Sequence, residues 1–156
     1  MKSKILALII ALTLTILSLC SCDFLFGTVA EDGDVTVVVE ESSGTYSVFE
    51  VSLENVENKD EGGKGILEYL SQRKDGLYVK MEDGGYGAFV TEIGTLKNNT
   101  DGKYIIVYTS VQGDSYEGAP AFEYEGKTLY QSGVGLSSMS IEEGTVILFK
   151  LEAYAY

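Results

Sequence analysis

Apolar residues along this chain come in short runs separated by Gly, Asn, Asp and Ser, a pattern that favours strands over helices. Residues 35–40 (Val-Thr-Val-Val-Val-Glu) are β-branched and predict a first strand. Residues 42–44 (Ser-Ser-Gly) mark a turn. Residues 46–53 then alternate, with Phe49, Val51 and Leu53 on one face and Glu50, Ser52 and Glu54 on the other. That is a half-buried strand and a natural hairpin partner for the first. After a polar loop at 58–63 the period changes. Ile66, Leu67 and Leu70 make a helical stripe within residues 64–74, with Arg73 and Lys74 in the last turn, where cations suit the helix dipole. Gly76 is placed to cap this helix.

The remaining runs predict strands at 77–81, 86–93, 103–111, 122–124, 128–130 and 145–151. The strongly apolar run at 103–111 (Lys-Tyr-Ile-Ile-Val-Tyr-Thr-Ser-Val) is expected near the middle of the sheet. Long loops are expected at 112–121, which holds the only proline, Pro120, and at the Gly/Ser-rich stretch 133–140. No period of 20 to 50 residues recurs, so the chain is not a repeat array. A hairpin, one helix and further strands predict an α+β fold: a β-grasp-like mixed sheet with one helix packed on one face.

The amino-terminal pattern is different. Lys2 and Lys4 precede an apolar stretch of about 15 residues, shorter than the roughly 20 that comfortably span a bilayer. This is the form of a secretory signal peptide. Leu19-Cys20-Ser21-Cys22 follows and resembles the bacterial lipobox, with Leu three residues before the modified cysteine and a small residue directly before it. The expected organisation is a lipoprotein signal peptide at 1–21, a tether at 22–33 and a β-rich domain at 34–156. Cys22 would carry diacylglycerol through a thioether and hold the chain on the cell membrane, facing outside the cytoplasm. Two or three acyl chains anchor firmly where one holds only marginally.

Removing the signal leaves nine basic against 24 acidic residues, a net charge near −15. Phosphate repels such a surface, so nucleic acid is not an expected partner. The chain has no His, and Cys22 would be the only cysteine of the mature chain, so it has no disulfide. Ser-His-Asp and Cys-His catalysis and His/Cys zinc sites are thereby excluded. The acidic clusters at 31–34 and 58–61 lack the Asp-x-Asp-x-Asp-Gly spacing that wraps oxygens round calcium. No catalytic residue, metal site or cofactor is expected, and the domain reads as non-enzymatic.

Three segments carry a family resemblance. They are Gly65-Ile66-Leu67-Glu68-Tyr69-Leu70, the strand from Gly85-Tyr86-Gly87 to Ile93, and Gly133-Val134-Gly135 through the turn at Gly144 before the last strand. In this order and spacing residues 35–152 resemble the transcobalamin-like C-terminal domain, found in vitamin B12 carriers and in many bacterial surface proteins. The family's aromatic strand usually carries a Trp, and the matching residues 104–108 have none. The resemblance implies a ligand site at loops 112–121 and 133–140, with Tyr86, Tyr108, Tyr116, Gly133 and Val134 as candidate ligand contacts.

Two functions remain open at this point. One is capture of a small ligand such as a corrinoid, for which a pocket lined by Tyr108, Tyr116 and Gly133 would speak. The other is a protein-interaction or envelope-scaffold domain that uses an exposed sheet edge and has no small-molecule site. Tyr side chains serve either, since they stack on planar ligands and also fill half-buried strand positions with the hydroxyl in water.

Overall fold

The computed structural model describes residues 33–153. The expected signal segment, Cys22 and nearly all of the tether lie outside the described residues. The described chain runs β1 (Val35–Glu40), β2 (Tyr46–Val51), α1 (Gly62–Gln72), β3 (Val79–Gly84), β4 (Gly87–Ile93), β5 (Leu96–Lys97), β6 (Lys103–Thr109), β7 (Ala121–Tyr124), β8 (Lys127–Gln131) and β9 (Thr145–Ala153). The class is α+β, as the pattern implies.

The strands divide between two sheets. A six-stranded sheet has the order β2-β1-β9-β6-β8-β7, and a three-stranded sheet has the order β3-β4-β5. Within the larger sheet β1 runs parallel to β9 and every other neighbour is antiparallel. The β1–β2 hairpin and the central place of β6 are those that hydrophobic patterning predicts. The three-stranded sheet is a feature the pattern does not separate, because residues 86–93 fit either sheet equally well by composition.

One face of the large sheet carries the main core. Val37 and Val39 of β1 and Ile147 and Phe149 of β9 are fully buried there. Ile66, Leu67 and Leu70 cover them from α1, and Val90 and Ile93 from β4. The helix stripe is therefore the predicted one, but α1 begins and ends two residues earlier than its pattern suggests. Gly76 does not cap α1 in a left-handed conformation. The chain leaves the helix extended at Arg73 (φ −70°, ψ 151°), and the Leu77 N–H returns to the Leu70 carbonyl at 3.2 Å. A Cβ on Gly76 would stand 2.1 Å from that same carbonyl, so this position takes glycine for close approach.

The opposite face holds a second, smaller core of Val38, Tyr108, Leu129, Val146 and Leu148. The β7–β8 hairpin closes over it. β8 pairs with β6 only at Tyr108↔Gln131 and Thr109↔Tyr130, and then the hairpin swings across the face. Phe122 meets Tyr108 edge-on, with ring centroids 4.9 Å apart. Tyr124 of β7 meets Tyr46 of β2 at 5.7 Å, although these strands are the two opposite edges of the sheet. The sheet is curled enough for its edges to touch through aromatic rings.

Candidate functional site

β6 is central in the sheet, yet it is only half matched by neighbours. β9 pairs with all of it, from Lys103 to Thr109. β8 pairs with Tyr108 and Thr109 and then departs. Burial follows the pairing. Tyr108 and Thr109 are buried, whereas Ile105, Ile106 and Val107 stay half-buried and Tyr104 is exposed. In the antiparallel β6–β9 ladder alternate residues aim their main-chain groups away from β9. Ile105 and Val107 are those residues, since the Ile105 N–H bonds the Asn98 side chain and the Val107 carbonyl accepts from the Ser132 N–H at 2.9 Å.

Facing this edge is β4. Its two-residue turn to β3 pairs Gly84 with Gly87, so that Ala88 turns its main-chain groups away from β3. The Ala88 N–H donates to Ser137 Oγ at 3.2 Å. The Asn98 amide spans the two edges. Its Nδ2 donates to the Val90 carbonyl at 2.9 Å and its Oδ1 accepts from Ile105 N–H at 2.7 Å. One side-chain amide thus stands where the peptide group of an intervening strand would stand.

The result is a framed window. β4 and β6 form its long sides, Asn98 closes one end, and the chain from Ser132 to Ser137 closes the other. Inside it lies a cavity of about 390 Å³, lined chiefly by Ala88, Val90, Ile105, Val107, Val134 and Leu136, with no charged residue in the lining. Within this frame the Ile105 carbonyl and the Val107 N–H have no partner among the described residues. At these half-buried residues the donor and acceptor can be met by water or by a ligand that enters the cavity.

The expected site residues divide round this window. Val134 lines it. Tyr86 is at its rim: the side chain is 93 % exposed at the β3–β4 turn, and its carbonyl packs on Gly135, where a Cβ would come within 2.2 Å. Tyr116 lies against Gly133, with 3.4 Å from its ring to a Cβ placed on that glycine, and its hydroxyl donates to Gln131 Oε1 at 3.1 Å. The two loops expected to open round a ligand are instead joined to each other. Ser115 bridges Ser132, and the Gly133 N–H bonds the Asp114 carbonyl at 2.8 Å. The buried Asp114 carboxylate accepts from the Ser140 N–H at 2.7 Å and the Ser140 hydroxyl at 2.8 Å.

Tyr108 is on the other face of the sheet, only 2 % exposed, and donates to Glu152 Oε2 at 2.9 Å. Burial, and then the Glu152 carboxylate, push its pKa well above the usual phenol value. Lys150 pairs with Glu152 at 2.6 Å and lies over the Tyr108 and Phe122 rings at 5.2 and 4.7 Å. Tyr116 packs on Gly133, and it also lies near enough to Tyr108 to add to the rise in its pKa. Asn98, Ile105 and Val107 are the residues that reasoning from the sequence misses. Their side chains look like an ordinary loop and an ordinary strand, and what matters is which neighbour is absent.

A second, polar groove of about 260 Å³ runs between α1 and the segment before it, lined by Asn55, Glu57, Glu68, Tyr69, Gln72 and Arg73. The described residues contain no group of three or more carboxylate, His or Cys side chains able to hold a metal ion. No helix among them is long and apolar enough to cross a membrane.

No family model matches this chain, and no curated protein matches it. Among solved structures it is similar to a Ruminococcus gnavus protein described as a candidate metal binder, with a TM-score of 0.52 and 17 % identity over 79 % of this chain and 99 % of that one. At this identity the likeness is one of fold, and it places the chain among small mixed α+β domains of this architecture.

Proposed function

We propose that this protein is a lipid-anchored, non-enzymatic binding module, tethered at the cell membrane through Cys22 and presenting the window between β4 and β6 outside the cytoplasm. The observation that carries the reading is an apolar cavity whose wall includes a main-chain donor and acceptor, at Val107 and Ile105, that are unmatched among the described residues. Apolar walls with a few convergent polar groups are the usual make-up of a ligand site. The lipobox-like Leu19-Cys20-Ser21-Cys22 supports the anchor. The description of the R. gnavus protein supports a binding role in general terms. A metal ligand has no matching donor set among the described residues here.

The resemblance to transcobalamin-like domains suggests a corrinoid as one ligand. A cavity of about 390 Å³ accepts an amide side chain of such a macrocycle, not the ring itself. The interaction-domain reading draws on the same strand edge, and both readings place the contact at β6.

Two measurements test the proposal. The full chain bearing Cys22→Ala should leave the membrane fraction for the soluble one; retention on the membrane would discard the anchor. Hydrogen exchange on the full chain, titrated with cyanocobalamin and a panel of apolar amides, should slow at Ile105–Val107 with at least one of them. Unchanged exchange throughout would discard the window as a ligand site.

A further inference from the structure

We infer that an exposed aromatic strip at the mouth of the window binds an uncharged polysaccharide, with sugar rings stacked on Tyr86 and Tyr116. This rests on the reading of the window as a binding site and names the class of ligand.

The strip is built round three residues. Gly133-Val134-Gly135 passes between two tyrosines. A Cβ on Gly133 would meet the Tyr116 ring at 3.4 Å, and a Cβ on Gly135 would meet the Tyr86 carbonyl at 2.2 Å. Glycine at both positions lets the two tyrosines close on the segment. Val134, between them, lines the cavity, as Phe89 does from β4. All four side chains are exposed: Tyr86 93 %, Tyr116 47 %, Phe89 44 % and Val134 38 %. Among the described residues the other exposed large apolar side chains are Tyr46, Tyr78 and Tyr104, and Tyr104 also borders the cavity. Single exposed rings are ordinary on a protein surface, but five of seven gathered at one opening mark a contact surface. Tyr86 stands out among them. It occupies the turn between Gly84 and Gly87, and its ring is almost wholly in water, so it adds nothing to the core.

Charge decides what these rings stack on. Exposed aromatic platforms take nucleic-acid bases when a basic groove tracks the phosphates. No Lys or Arg lines this cavity, and the chain carries 24 acidic and 11 basic residues, a formal charge of −13. That field repels phosphate and an anionic lipid surface alike. A basic partner would be drawn to the acidic surface and not to an uncharged opening. An uncharged partner is left. A sugar ring has a C–H face that covers an aromatic ring and a rim of hydroxyls that stays hydrated. It therefore suits rings that are open to water on a shallow strip, and phenols that keep their own hydroxyls wet.

The test uses the full, isotopically labelled chain in detergent micelles with chitotetraose, cellotetraose and maltotetraose. At least one should receive saturation from the aromatic protons and shift the Tyr86 amide resonance. Tyr86→Ala should weaken binding about tenfold with the urea midpoint unchanged, and Tyr86→Phe should restore it to within about twofold. Tyr78→Ala, an exposed tyrosine at the far end of the β3–β4 hairpin, should leave binding as it is. If Tyr86→Ala binds as tightly as the parent, or Tyr78→Ala loses as much, the strip is not the site. If Tyr86→Phe loses as much as Tyr86→Ala, stacking is the wrong contact. If cyanocobalamin or an apolar amide slows exchange at Ile105–Val107 and no saccharide binds, the window stands and the polysaccharide is wrong. If no saccharide binds and the Cys22→Ala chain sediments with phosphatidylcholine vesicles unless Tyr86 is also replaced by Ala, the strip contacts lipid instead. If none of these compounds has an effect, both readings fall.

Discussion

The two halves of β6 are built from the same kind of residue and end in different states. At its carboxyl end Tyr108 and Thr109 have β8 on one side and β9 on the other, and both are buried. At its amino end Ile105, Ile106 and Val107 have β9 alone, and their apolar side chains remain half in solvent. Nothing in the side chains requires this. If anything, the Ile-Ile-Val run is more apolar than Tyr-Thr. The difference arises because the β7–β8 hairpin swings away to close the second core through Phe122, Tyr124 and Leu129, and the chain after Ser132 turns toward β4 instead of continuing along β6. One closed face therefore leaves one open edge.

The largest effect should separate the two halves by core truncation. Tyr108, on the closed half, is paired on both sides and only 2 % exposed. Tyr108→Ala should cost about 4 kcal/mol in urea unfolding. Ile106→Ala, on the open half, should cost about 1 kcal/mol because the side chain is already partly hydrated. Equal costs would mean that the open half is covered in solution, and the contrast would be void. A smaller loss is expected from Asn98→Ala, which strips partners from the Val90 carbonyl and the Ile105 N–H together. The cost should be about 2 kcal/mol. The same variant should speed amide exchange at Ile105 while leaving Thr109 protected, and uniform loss of protection would show that Asn98 supports the whole sheet and not the edge alone.

Much of this fold is legible in the sequence, and the reasons are local. β1 carries an unbroken β-branched run, and β2 alternates with period two. α1 shows three apolar residues at helical spacing. Each signal lives within six to eleven residues. The window is not legible because it depends on partners distant in the chain: β4, β6, Asn98 and Ser132–Ser137 meet only after the strands divide between two sheets. In the Gly/Ser-rich loop at 133–140, Val134 lines the window, and the glycines allow close approach. At Gly135 that approach is to the Tyr86 carbonyl, and the contact forms the rim of the window. Tyr108 misleads in the opposite direction. A tyrosine in a strand near suspected loops looks available, and only the curl of the sheet hides it.

That concealment has a smaller, measurable consequence. Tyr108 is buried beside Phe122 and bonded to Glu152, and both burial and the carboxylate raise its pKa above the ordinary value of 10.0. Below pH 10 the phenol is protonated in the folded and the unfolded chain alike, and its contribution is fully present. Above pH 10 the unfolded chain releases the proton while the folded chain keeps it. Stability then falls as pH rises, with a limiting slope of about 1.4 kcal/mol per pH unit for one group. Tyr108→Phe should cost about 1 kcal/mol at pH 7, since Glu152 retains Lys150 and partial solvent. Between pH 10 and about 11 the variant should lose less stability than the parent, so the gap between them narrows. Tyr124, whose pKa burial also raises, is present in both proteins and cancels in the comparison. Parallel stability curves for parent and variant would mean that the β7–β8 hairpin lifts off in solution. β8 would then be free to run the length of β6, and the open edge would lose its cause.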